Sequence, residues 1–148
     1  MPTLIAAGEF FFDLIFFKLQ RLPRMGEELV TPNFALALGG GAVNTAIAAA
    51  RLGRPVQLAA VLGDTALDQF ALGELAKEGV GCDYVSRQRR SMGALTVAVS
   101  LPHDRFFLTY PGSNVFLAKY LLAPRTRNKL SAAAHVHFGQ PDLAPVQR

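Results

Sequence analysis

Three consecutive glycines, Gly39, Gly40 and Gly41, run directly into the alanine-rich stretch that holds Asn44 and closes at Gly53. Glycines have no Cβ, so a ligand can approach the main chain closely and unusual dihedrals are cheap. The first amides of the following helix point at whatever lies in front of it, which suits an oxygen-rich ligand. Asn44 falls in the first helical turn and offers a donor and an acceptor to a hydroxylated molecule. A second position of interest is Asp13, the carboxylate that interrupts the apolar run of residues 10–17. A buried carboxylate is costly without partners, and Asp13 could find them by capping the following turn.

Other constellations carry less. Asp64 and Asp68 fall at a helix start, where carboxylates cap the helix and complement its dipole. His135 and His137 alternate along a strand and share a face, but no third ligand is spaced to complete a metal site. The glycine run has Asn44 where a dinucleotide fingerprint needs its third glycine. The basic groups Arg87, Arg89, Arg90 and Arg125, Arg127, Lys129 account for much of the net charge of +4. Neither has aromatic or groove-reading company in the sequence, so both read as solvated surface and no nucleic-acid partner is expected.

The elements that must position these residues follow from periodicity. Residues 3–7 read as a buried strand, with residues 10–17 as its continuation or a second strand, and 28–38 as extended. Residues 42–52 form a helix with Gly53 as its stop. Residues 56–62 are a continuous apolar strand of the parallel-sheet kind, and Asp64 or Thr65 caps the next helix, which ends at Gly79. Strand, helix, strand, helix argues for an α/β fold with right-handed crossovers. Residues 93–101 and 105–110 flank Pro102-His103-Asp104 as a hairpin. Residues 118–122 and 127–133 read as short helices and 135–138 as a core strand.

The 148 residues suffice for one domain. A hydrophobic content of 51% with 18% charged residues is apolar for a soluble domain, as for an obligate oligomer or a domain whose strands await further neighbours. The apolar run at 10–17 is far shorter than a membrane span, and the N-terminus lacks the basic region of a secretory signal. One cysteine, Cys82, excludes an internal disulfide and suits a reducing cytoplasm.

The string from Leu38 to Gly53 resembles the N-terminal signature of the ribokinase-like (pfkB) carbohydrate kinases. The resemblance extends to Gly8-Glu9-Phe10-Phe11-Phe12-Asp13, to Pro23-Arg24-Met25-Gly26-Glu27, to Val61-Leu62-Gly63-Asp64 followed by Glu78-Gly79-Val80, and to Gly112-Ser113-Asn114. It implies a ribokinase-like three-layer sandwich, present in part, with a small β-sheet lid built near residues 14–38 and 93–110. It implies ATP-dependent phosphorylation of a sugar or nucleoside hydroxyl, with ATP and Mg²⁺ as cofactors of the complete enzyme. Substrate contacts are implied for Asp13, Gly39, Gly40, Gly41 and Asn44, and further ones for Arg105, Tyr110 and Asn114. The family's Asp-x-x-Gly-Ala-Gly-Asp signature, which carries the catalytic base and anion hole, has no counterpart in the sequence. Residues 1–148 therefore read as the N-terminal, sugar-binding half of such a kinase, with no catalytic residue or bound cofactor of their own and a homodimer formed through the lid strands. The alternative is a non-catalytic polyol-binding or dimerisation module. Two departures from the family pattern stand out: Gly41 replaces a frequent Lys or Asp, and Met92 replaces the usual Thr before Gly93.

Overall fold

The computed structural model describes residues 3–139; the closing stretch 141–148 lies outside them. Two four-stranded sheets share the chain. The first takes the order β5-β4-β1-β8, with β1 at Leu4–Gly8, β4 at Val56–Leu62, β5 at Val85–Arg87 and β8 at His135–Gly139. All its pairings are parallel. The second takes the order β3-β2-β6-β7, from β2 at Phe11–Phe16, β3 at Phe34–Gly39, β6 at Ala94–Ser100 and β7 at Arg105–Tyr110. Its central pair, β2 and β6, is parallel and its two outer pairs are antiparallel.

Helices sandwich the first sheet because its strands are apolar on both sides. Ala6, Leu58, Ala60 and Leu62 face α1 (Gly41–Arg51) and α2 (Ala66–Lys77), where Val43, Ala46, Ala71 and Leu75 are buried. The small alanines of α1 let that helix lie close to β1, β4 and β8. Ile5, Ala7, Ala59 and Val61 face the other way, onto Leu117 and Leu121 of α3 (Leu117–Leu122), with Leu130 of α4 (Pro124–Ser131) alongside. Each fully buried Leu, Ile or Val side chain contributes about 1.5–3 kcal/mol. This is the three-layer α/β arrangement expected from the sequence.

Several boundaries differ from the sequence expectation. Of the two readings open for residues 10–17, the second strand is the one that forms: the chain leaves the first sheet at Gly8 and enters the second at Phe11. Of the extended stretch 28–38, regular pairing starts only at Phe34. β5 was not expected, because Val-Ser-Arg shows neither an apolar run nor alternation. β8 is an edge strand rather than a core strand, with Phe138 45% exposed. The Pro23–Glu27 turn forms around Gly26 at φ 78°, with Glu27 N–H donating to the Arg24 carbonyl. Among the described residues no helix is long and apolar enough to cross a membrane.

The two sheets are joined at a buried carboxylate. Thr65 caps α2, and Asp68 completes a capping box three residues on. Asp68 is fully buried and accepts from the N–H groups of Gly63 (2.9 Å), Gly93 (2.9 Å) and Thr65 (3.1 Å), and from the Thr65 hydroxyl (2.6 Å). Gly63 directly follows β4 and Gly93 directly precedes β6, so one side chain ties the core sheet to the second sheet. Gly93 has to be glycine here, since a Cβ would stand 2.7 Å from Asp68 Oδ1.

Candidate functional site

Strand register decides which residues of the second sheet act together. Asp13 pairs with Ala37 on β3 and Thr96 on β6, and Thr96 pairs with Thr109 on β7. Residues paired directly across a sheet share a face. Asp13, Thr96 and Thr109 therefore form a polar row across one face, and the two threonine hydroxyls lie 3.2 Å apart. Gly39, Ser100 and Arg105 lie on this face by the same parity, with the Arg105 guanidinium over the ring of Phe107.

Asp13 is half-buried, and burial pushes its carboxyl above the usual aspartate range. It has no hydrogen-bond or ion-pair partner among the described residues. Capping of the following turn, open from the sequence, does not occur. The carboxylate instead leans over Gly39, where a Cβ would stand 2.0 Å from its Oδ2. Glycine at 39 thus makes room for a neighbouring side chain of the same protein. Gly40 has a comparable reason: at φ 104° it turns strand into helix, and a Cβ there would meet the Glu9 carbonyl at 2.3 Å.

Gly40 precedes α1 and supplies no side-chain cap, while its carbonyl accepts from Asn44 N–H at 2.9 Å. Gly41 opens the helix. The Asn44 side chain is exposed and without a partner among the described residues, so its donor and acceptor are both available. A half-buried carboxylate, a glycine turn, the positive end of a helix and a free amide suit a neutral, hydroxyl-rich molecule: hydroxyls donate to Asp13 and either donate to or accept from Asn44.

The remaining expected residues separate. Arg105 shares the Asp13 face, at the far end of β7. Tyr110 does not: it pairs with Leu95 and points to the opposite face. Asn114 is committed to the main chain, its Nδ2 donating to the Phe10 carbonyl (2.9 Å) and its Oδ1 accepting from Phe10 N–H (3.3 Å). It fastens the crossing between β1 and β2, as its neighbour Ser113 fastens β4 through the Val61 carbonyl at 2.7 Å. Thr96 and Thr109 were missed. The signal available was the alternation of Thr96 and Ser100 with Leu95, Val97 and Val99, but only the register ties that parity to Asp13.

Among the described residues no group of three His, Cys, Asp or Glu side chains could hold a metal ion.

The sequence matches the pfkB family carbohydrate kinase profile over residues 1–147. A deoxyribokinase from Salmonella typhi is 31% identical over 107 residues, which is 72% of this chain and 35% of that protein. The chain thus matches about a third of the length of such curated relatives. Among solved structures, the Methanocaldococcus jannaschii nucleoside kinase, an archaeal member of the ribokinase family, superposes with a TM-score of 0.77 at 18% identity, over 96% of this chain and 46% of that one. A fructokinase from Xylella fastidiosa with bound ATP gives 0.70 at 24% identity, over 93% and 41%. These two likenesses establish the fold.

Proposed function

The chain belongs to the pfkB family of carbohydrate kinases, and from that premise we propose that it supplies the sugar-binding side of a kinase that phosphorylates a hydroxyl of a sugar or nucleoside. The observation that carries this reading is Asp13: a half-buried carboxylate without a partner among the described residues, leaning over Gly39 at the glycine turn that leads into α1, whose first turn holds the free amide of Asn44. In this reading Asp13 and Asn44 hold two substrate hydroxyls. The Thr96–Thr109 pair adds polar contacts from the lid sheet, and Arg105 marks its outer end. The lid keeps water from the bound hydroxyl. ATP and Mg²⁺ belong to the complete reaction, where positioning and charge stabilisation of the transferred phosphoryl dominate. The described residues hold no cluster of acidic ligands that fits Mg²⁺, and the sequence has no Gly-Ala-Gly-Asp run to meet the transferred phosphoryl. The base, the anion hole and the contacts to the phosphoryl donor are therefore assigned outside them, and the 148-residue chain alone is expected to show no sugar-dependent ATP turnover.

The test is calorimetry with a panel of pentoses, deoxypentoses, hexoses and nucleosides. Asp13→Ala or Asn44→Ala is expected to weaken the best ligand by about 1–3 kcal/mol, the cost of leaving a buried polar group unpaired. Binding indifferent to both substitutions, or no binding across the panel, would overturn the assignment.

A second reading, a dimerising module without catalysis, draws on the other face of the lid. There the rows Leu36–Leu14–Val97–Leu108 and Phe34–Phe16–Val99–Phe106 are apolar throughout. Leu108 is 69% exposed, and apolar patches of this kind mark interfaces. We assign this face to a homodimer contact, which is compatible with either reading. Leu108→Glu should give a monomer by light scattering if the contact exists. An in-frame coding continuation with the Asp-x-x-Gly-Ala-Gly-Asp signature favours the kinase over the module.

A further inference from the structure

We propose that a pocket at the root of the lid binds a phosphomonoester carrying a flat ring, of the nucleoside monophosphate class. The pocket has a volume of about 310 Å³, at the lower end of small-ligand sites. Arg89, Arg90 and Ser91, which follow β5, line one side; Tyr110, which ends β7, and Pro111 and Phe116, which follow it, line the other. In the sequence this basic run has no aromatic neighbour, and folding brings two to it.

The arginines are presented by a turn held in place. Gln88 N–H donates to the Leu62 carbonyl at 2.7 Å and Asp64 N–H donates to the Ser91 carbonyl at 3.0 Å. Between them, Arg90 N–H donates to Asp64 Oδ2 at 3.0 Å. Arg90 takes φ 55°, a left-handed conformation that non-glycine residues rarely adopt and that persists only where the surroundings impose it. The cluster is not uniform. Arg87 turns inward, its Nε donating to the Gly63 carbonyl. The guanidinium groups of Arg89 and Arg90 have no hydrogen-bond or ion-pair partner among the described residues. Asp64, the acidic group that packs against this turn from the β4–α2 connection, accepts from the Arg90 main chain.

Two unpaired guanidinium forks on one fixed turn match the oxygens of a dianionic phosphate. The opposite wall is apolar and aromatic, with Tyr110 53% and Phe116 38% exposed, which suits a ring more than a hydroxylated sugar. The pocket is separate from the Asp13 site, since Tyr110 points away from the Asp13 face and β7 is two strands from β2. The proposal does not depend on the sugar-binding reading.

The experiment is calorimetry on the 148-residue protein with adenosine 5′-monophosphate, adenosine, glucose 6-phosphate and inorganic phosphate. The nucleotide is expected to bind about tenfold tighter than each of the other three. The double substitution Arg89→Gln/Arg90→Gln should weaken the nucleotide by about tenfold or more, and Tyr110→Ala should also weaken it. Asp13→Asn should leave it unchanged, which separates this pocket from a nucleoside bound at the Asp13 site. Arg90→Gly provides the folding control: it removes the guanidinium while suiting the left-handed backbone, so affinity falls while the unfolding temperature holds or rises. Equal affinity for phosphate and nucleotide, indifference to the arginine substitutions, or loss of binding in Asp13→Asn would each overturn the proposal.

Discussion

In the β5-β4-β1-β8 sheet every pairing is parallel and helices cover both faces. In the β3-β2-β6-β7 sheet, helix α1 covers only the root of one face, where Phe12, Leu38 and Leu95 join the core. Beyond that root the second sheet shows two unlike surfaces, apolar rows on one side and the Asp13–Thr96–Thr109 row on the other. The residues of the first sheet answer to packing inside the chain. Those of the second answer in part to what lies outside it, so equal substitutions should have unequal effects in the two.

The largest effect is expected where the sheets are joined. Asp68→Ala leaves several buried main-chain N–H groups unpaired, at about 1–3 kcal/mol each, and should reduce stability by about 4 kcal/mol in denaturant unfolding. A loss no greater than that of an exposed Asp would mean that the sheets are not held together there. Next, Leu58→Ala in the fully buried middle of β4 should cost about 3 kcal/mol through lost burial and a cavity.

Asp13→Asn should act in the opposite direction. Burial raises the folded-state carboxyl above its ordinary value of 3.8, so the ionised form is the penalised one. The penalty is fully present above the folded-state pKa and vanishes as pH falls below the unfolded value. The substitution should therefore stabilise the fold at pH 7, by less than about 1 kcal/mol given the remaining solvent contact, and the gain should disappear near pH 3. A gain that grows on acidification would contradict the burial argument. Smallest of all, Leu108→Ala on the exposed row should change the stability of the isolated fold by no more than about 0.5 kcal/mol, in contrast to Leu58→Ala. A cost as large as that of Leu58→Ala would mean that the outer row is as closely packed as the core.

Much of this architecture was legible because local signals agreed with the final packing. Helix α1 begins at its glycines and stops at Gly53, which takes φ 72°, and β4 shows the unbroken apolar run of a strand covered on both sides. The cap of α2 was narrowed to two residues and is Thr65. What could not be read depended on partners distant in the chain. Asn114 meets Phe10 across 104 positions, and nothing near Asn114 signals that its amide is engaged. The face of Tyr110 is fixed by pairing with Leu95, and a shift of one residue would have put it on the Asp13 face. Val85–Arg87 is too short to carry a period at all. The Asp13 neighbourhood was legible through its resemblance to a known family, whereas its threonine row required the register.

The position of β1 between β4 and β8 has a consequence in time. β4 follows β1 by about 50 residues, while Leu4 pairs with His135, about 130 residues later. During synthesis one edge of β1 therefore stays unsatisfied until nearly all of the described chain has been made. Contacts this distant in sequence slow folding, and an open apolar strand edge is where nascent chains associate wrongly. The last step in completing the first sheet is thus the arrival of β8, and the interval before it is when a chaperone would be most useful to this protein.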